Sequence, residues 1–198
     1  MKIWAAIPVK PLAEGKSRLA GALSLEARIR LNARLFRHTL DTVSAVFDPA
    51  HIIVVSRDSA PRDIAAARGM QVIAERGNEL NAALFEAAAF IPPTDGLLAI
   101  STDLPNLSPE DVQAMLAELE PPVVIAPDRE HQGTNALLTI PAARIPYRFG
   151  PNSFARHLSA AAEHNITPRT ITRLGLAFDL DTEADLPLCP PEFLYQPS

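Results

Sequence analysis

Apolar residues come in short runs, separated by longer stretches rich in alanine, leucine and arginine. The first run, Ile3 to Ile7, has no polar interruption, which is the pattern of a strand buried on both faces. Similar runs predict strands at His51–Ser56, Met70–Ala74, Leu97–Ser101, Val123–Ala126 and Ala136–Ile140, with another at Thr170–Leu174. Between them the period changes. Leu25, Ile29, Leu31, Leu35 and Leu40 recur near helical spacing with arginines among them, so 25–46 predicts an amphipathic helix with Ser24 as its N-cap. Pro61 suits the N1 position of a helix through Arg68, closed by Gly69. A helix over Asn78–Phe90 stops before Pro92 and Pro93. Ser108-Pro109-Glu110-Asp111 opens another with a cap, a proline and first-turn acids, and Asn152–His164 is the last.

Strands alternating with helices at this density imply an α/β fold with a mostly parallel sheet in a single domain, residues 1–198. The proline-rich tail from Pro187 reads as an irregular C-terminal arm.

Composition narrows the function. With 47% hydrophobic and 21% charged residues, the 198-residue chain can pack a core. Lys+Arg 18 against Asp+Glu 23 gives a net charge of −5, which argues against a broad nucleic-acid surface. Cys189 is the single cysteine, so an internal disulfide or cysteine zinc cluster is excluded. No apolar run approaches the ~20 residues of a membrane span, and a cytoplasmic protein is expected. Prolines number 19 and glycines 8, so the chain turns on proline and glycine-rich loops are scarce. Only three lysines occur, Lys2, Lys10 and Lys16, against fifteen arginines.

Two of those lysines fall in one loop. In open α/β sheets, ligands bind at the carboxyl ends of strands. The segment Pro8 to Leu19 follows the first strand and carries Lys10, Lys16 and Arg18, a set suited to a polyphosphate. Gly15-Lys16-Ser17 matches the tail of a Walker A loop, but that motif needs a glycine where this chain has Lys10. A solvated basic loop is the plainer alternative.

Further along, Ile100-Ser101-Thr102-Asp103 ends a strand in a carboxylate at the same sheet edge. Asp103 is either a Mg²⁺ ligand or a turn cap before Pro105. Asp179 and Asp181 point the same way if their segment is extended, while Asp181 or Thr182 could also cap a helix at 183–186. Gly133-Thr134-Asn135 leads into an apolar strand, and Gly150 and Ser153 open a helix. A phosphate would fit between Thr134 and Ser153, although an ordinary N-cap explains the second pair as well. Histidines 38, 51, 131, 157 and 164 lack metal-ligand spacing; His131, beside Thr134, is the one worth testing. No nucleophile elbow or Cys–His pair is present.

The ordered set Ile-Pro-Val-Lys-Pro-Leu, Gly-Lys-Ser-Arg-Leu, Thr-Asp-Leu-Pro, Gly-Thr-Asn-Ala-Leu, Phe-Gly-Pro-Asn-Ser-Phe and Asp-Leu-Asp-Thr-Glu-Ala-Asp-Leu resembles the CofC/FbiD guanylyltransferases of coenzyme F-420 biosynthesis, from residue 3 to about 186. The resemblance implies a nucleotidyltransferase fold, a Rossmann-like mixed sheet of the nucleotide-diphospho-sugar transferase kind. It implies transfer of GMP from GTP to phosphoenolpyruvate, 3-phospho-D-glycerate or 2-phospho-L-lactate, with release of pyrophosphate. Carried over by position, Lys10, Lys16 and Arg18 face the triphosphate, and Asp103, Asp179 and Asp181 hold Mg²⁺. Thr134, Gly150 and Ser153 take the acid's phosphate. The turn 78–83, with Asn81, is a candidate wall for guanine. Beyond GTP and the acid, a homodimer and hand-off of a labile product to the next enzyme are further expectations; nucleic acid and membrane are not. The alanine- and arginine-rich composition, typical of a GC-rich bacterial genome, favours phosphoenolpyruvate or phosphoglycerate over phospholactate.

Two rival readings stand beside this one. Cytidylyltransferases and molybdopterin guanylyltransferases typically open with a Leu-Ala-Gly-Gly loop, which is absent here. A non-catalytic nucleotide-binding domain would have no need of Asp103, Asp179 and Asp181.

Overall fold

The computed structural model describes residues 1–75, 80–117 and 119–194. Seven strands, β1 (Ile3–Pro8), β2 (Ile52–Ser56), β3 (Gln71–Ala74), β4 (Gly96–Ile100), β5 (Val123–Pro127), β6 (Thr134–Thr139) and β7 (Arg169–Thr170), form one sheet in the order β3-β2-β1-β4-β6-β5-β7. The first four strands in that order run parallel, β6 runs antiparallel to both β4 and β5, and β7 is parallel to β5. Every residue of β2, β4, β5 and β6 is buried, as expected of a sheet covered on both faces.

Among the described residues, five helices cover those faces. One face packs against α1 (Leu25–Ser44), α4 (Pro109–Leu116) and Ala65 of α2 (Ser59–Ala66), the other against α3 (Leu80–Phe90) and α5 (Ser153–Glu163). Alternation along β1 divides them: Ala5 and Ile7 join the first core and Ala6 the second. Ser24 caps α1 by accepting the Ala27 N–H, and Ser108 and Asp111 form a capping box on α4. The predicted start of the third helix at Asn78 lies outside the described residues. Pro61 stands in the third position of α2, which Asp58 caps.

Two expectations fail. The strand predicted at 170–174 pairs only as Arg169–Thr170, with Ile171 N–H donating once more to Ile125. The next rung would need the N–H of residue 127, which is proline, so the ladder ends and the chain turns into α6 (Leu174–Ala177). Nor is the arm predicted from Pro187 irregular as far as residue 194, the last described. Glu183–Leu188 is a 3-10 helix and Pro191–Leu194 is α7. Cys189 and Phe193 are buried with Leu19, Leu31, Leu35 and Leu180 in a small third core. That cluster fastens the basic loop and the acidic C-terminal segment to α1.

The topology fixes where a ligand would lie. From β1 the chain moves through β2 to β3 on one side, and β4 pairs with β1 on the other, so the loops after β1 and β4 part above their carboxyl ends. β6 starts at that same edge because it is antiparallel to β4, with Ala136 opposite Ile100. Among the described residues, no helix is long and apolar enough to cross a membrane.

Candidate active site

The loop after β1 bends under visible constraint. A Cβ at Gly15 would sit 2.6 Å from Asn32 Nδ2, and that Asn32 amide donates to the Leu12 carbonyl at 2.7 Å. Lys16 adopts a left-handed backbone (φ 57, ψ 37), which is unfavourable for a residue with a Cβ. The buried Leu19 then draws the 3-10 turn Ser17–Leu19 against α1. The result is a lysine turned inward. Its side chain is 7% exposed, with Nζ 2.9 Å from Asp103 Oδ2 and 3.0 Å from Asp181 Oδ1. Burial pulls the ammonium pKa down, but the two carboxylates more than offset it and hold it above the ordinary lysine value. Lys16 is therefore charged at neutral pH.

The carboxylates reach it from two loops tied together. Asp103 follows β4, and its backbone carbonyl accepts the Leu180 N–H at 3.0 Å, drawing 179–181 alongside. Asp179 shares this neighbourhood: burial first, then the Asp103 and Asp181 charges, push its carboxyl up to about 6. Arg18 is largely solvent-exposed and approaches Asp181 Oδ2 at 3.8 Å. Lys10 is exposed, with no ion pair among the described residues. Asp103 Oδ1 is buried without a hydrogen-bond partner. An orphaned carboxylate oxygen is unfavourable, and a hard divalent cation would satisfy it. Among the described residues no three acidic, histidine or cysteine side chains form a ready-made cage. The donor set thus fits Mg²⁺, which keeps waters and takes phosphate oxygens beside one or two carboxylates.

Asp185 supports this cluster and escaped the sequence reading. Its buried carboxylate accepts from the N–H of Asp181 at 3.0 Å and from the N–H and hydroxyl of Thr182 at 2.6 and 2.9 Å. Arg129 pairs with it and lies over the Phe178 ring. Burial alone would raise this carboxyl; the hydrogen bonds from Arg129, Thr182 and Asp181 hold it down at about 2. Thr182 and Asp185 thus supply the helix start, which leaves the Asp181 side chain free to face Lys16. The spacing Thr182-x-x-Asp185 was a readable capping signal.

A second polar patch lies at the start of β6. Thr134 is buried, its Oγ1 3.0 Å from Nδ1 of His157 on α5. Ser153, also buried, donates its N–H to Gly150, and Phe154 N–H donates to Gln132, so two N–H groups at this helix start are already used. Gly150 takes φ 113, a conformation suited to glycine. Asn81 bridges α3 to this patch: its amide donates to the Phe149 carbonyl at 3.1 Å and accepts the Phe149 N–H at 2.7 Å. His131 is exposed with its ring against Phe154; His157 is the histidine that meets Thr134. A separate open cavity of about 580 Å³ beside Ser108, Asp111 and Arg173 holds none of the predicted site residues.

A family model described as guanylyl transferase, CofC-like, matches residues 1–188. The chain belongs to this family. CofC membership makes it a nucleotidyltransferase, and neither rival reading is favoured. Curated relatives include the phosphoenolpyruvate guanylyltransferase of Chloroflexus aggregans, 40% identical over 186 residues (90% of this chain, 92% of the relative). The protein of the same name from Rubrobacter xylanophilus is 38% identical over 190 residues (94% and 92%). A solved 4-diphosphocytidyl-2C-methyl-D-erythritol synthase from Anaerococcus prevotii aligns with a TM-score of 0.66 at 13% identity, covering 94% of this chain and 93% of that one. At that identity the likeness establishes the nucleotidyltransferase fold alone.

Proposed function

We propose that this CofC chain transfers GMP from GTP to phosphoenolpyruvate, releasing pyrophosphate and leaving a phosphoanhydride between guanosine and the enol acid. The observation that carries the reading is the buried Lys16 ammonium, held between Asp103 and Asp181 at the β1/β4 crevice. In this reading Lys10, Lys16 and Arg18 bind the triphosphate, while Asn81, whose amide is taken up by the Phe149 backbone, shapes the wall of the site without reading the base. Thr134, Gly150 and Ser153 receive the acid's phosphate. Asp103, with Asp179 and Asp181, would hold Mg²⁺, which supplies charge neutralisation at the phosphate oxygens.

The acceptor phosphate is ionised near neutral pH and is itself the nucleophile. It attacks the α-phosphorus in line as pyrophosphate leaves, so no side chain has to remove a proton. The protein's contribution is then positioning and charge. Phosphoenolpyruvate is favoured over 3-phospho-D-glycerate and 2-phospho-L-lactate because the curated relatives above carry its name. Action in the cytoplasm, in coenzyme F-420 synthesis, belongs to the same reading, as do a homodimer and hand-off of the labile product to the next enzyme.

The test combines purified protein, Mg²⁺ and GTP with each acid, following pyrophosphate release and the GMP adduct by mass spectrometry. Phosphoenolpyruvate should give the highest kcat/KM, and CTP should serve at least about 100-fold less well than GTP. Equal use of CTP, or no pyrophosphate with any acid, would overturn the reading.

A further inference from the structure

The Thr134–His157 pair carries more information than a contact, because its polarity can be worked out. His157 is fully buried on α5. Its Nε2 lies 2.9 Å from the backbone nitrogen of Arg148. A backbone N–H only donates, so Nε2 must be the unprotonated nitrogen. Burial, then the neighbouring Arg156 and Arg148 charges, press the ring down to about 4, so it is neutral near pH 7. A neutral imidazole carries one N–H, which is therefore on Nδ1. Nδ1 is 3.0 Å from Thr134 Oγ1, so the ring donates and the hydroxyl accepts. Phe149 meets the ring edge-on at 4.9 Å and fixes its plane.

The consequence falls on Thr134. A hydroxyl has one proton and two acceptor positions. With one acceptor position occupied by His157, the proton is directed elsewhere, and no protein acceptor for it occurs among the described residues. Accepting one hydrogen bond also strengthens the one a hydroxyl donates. A phosphate group carries only acceptor oxygens in its ionised form. The opposite tautomer would turn a lone pair of Thr134 toward that phosphate and repel it.

We infer that His157 is a positioning residue, which fixes the Thr134 hydroxyl as a hydrogen-bond donor to the phosphate of the acid substrate. This rests on the proposed placement of that phosphate beside Thr134. His157 acts only through Thr134, and its role is separate from the lysine–carboxylate cluster that faces the nucleotide.

Two substitutions separate the two ring nitrogens. In His157→Asn the amide can still donate from the Nδ1 position to Thr134. In His157→Gln the amide oxygen can still receive the Arg148 N–H, but nothing donates to Thr134. His157→Gln should raise the KM for the acid about tenfold, with the KM for GTP unchanged, and His157→Asn should recover most of that loss. In a Thr134→Val background, His157→Gln should add nothing further. Equal damage by both substitutions, or a rise in both KM values, would mean that His157 only supports the fold.

A measurement on the unaltered protein stands even if the variants unfold. Long-range ¹H–¹⁵N spectra of the imidazole should report a proton on Nδ1 and none on Nε2, and the reverse tautomer would overturn the inference. The two levels fail differently. If Thr134→Val leaves the KM for the acid unchanged, the placement of the acid is wrong. If Thr134→Val raises that KM and His157→Gln does not, only the role of His157 is lost.

Discussion

Replacing Asp179 with asparagine should make the metal-free protein more stable while removing activity. The two residues have nearly the same shape, so the change is mainly one of charge. Burial and the Asp103 and Asp181 carboxylates raise the Asp179 carboxyl from 3.8 to about 6. At full strength that difference amounts to about 3 kcal/mol against the charged form. Asp179 is only partly buried, so solvent screening reduces it to about 1–2 kcal/mol. The sign follows from linkage. A raised carboxyl pKa means that the folded state holds the proton more tightly than the unfolded chain. The penalty is therefore complete above pH 6, fades as Asp179 takes up its proton, and is gone below the unfolded value of 3.8. Urea unfolding of both proteins without divalent ions should show Asp179→Asn ahead by about 1–2 kcal/mol at pH 8, with the gap closing toward pH 4. Adding Mg²⁺ and GTP should reverse the order, because only the unaltered site gains the full stabilisation of a bound ligand. A variant less stable at pH 8, or a gap independent of pH, would refute the reasoning and make Asp179 an ordinary structural residue.

Lys16→Met should abolish turnover and destabilise the nucleotide-free protein by about 2 kcal/mol in urea, since it leaves partly buried carboxylates without their counter-ion. The same variant should bind Mn²⁺ more tightly than the unaltered protein in the absence of nucleotide, read by electron paramagnetic resonance, because the cation position between Asp103 and Asp181 is vacated. Asp185→Asn should cost about 2 kcal/mol at pH 7 and lower kcat through misplacement of Asp181; the native carboxyl is depressed to about 2, so its stabilisation is present above 3.8 and the variant's deficit should vanish on acid titration toward pH 2.

The legible part of this site was the part that projects toward a ligand. Lys16, Asp103 and Asp181 each stand in a loop at the sheet edge or in an acidic segment, where an uninterrupted apolar run gives way to charge, and the fold then brings them to one crevice. The supporting residues left no comparable trace. Arg129 and Asp185 are 56 residues apart, and His157 lies 23 residues beyond Thr134. Spacings of that size encode nothing until the chain has folded. The tail was misread for a related reason: Cys189 and Phe193 pack on α1, where Arg34 donates to the Phe193 carbonyl from 159 residues away, while the prolines around them dominate the composition.

The charge of the site sharpens what the net value of −5 implies for an anionic substrate. Lys16 and Arg18 face Asp103, Asp179 and Asp181, two cations against three carboxylates, so the metal-free crevice is left with one negative charge when all are ionised. A triphosphate gains little by approaching it. A bound divalent cation would turn that charge positive and release Lys16 from its carboxylates toward the phosphates. The two changes act in the same direction, so nucleotide and metal should bind cooperatively and weakly apart. The inward-turned Lys16, held in a left-handed backbone, then has a physical purpose: it holds Asp103 and Asp181 together and would yield them to a metal ion and triphosphate binding together. Independent binding of GTP with unchanged affinity in the absence of any divalent ion would refute that coupling.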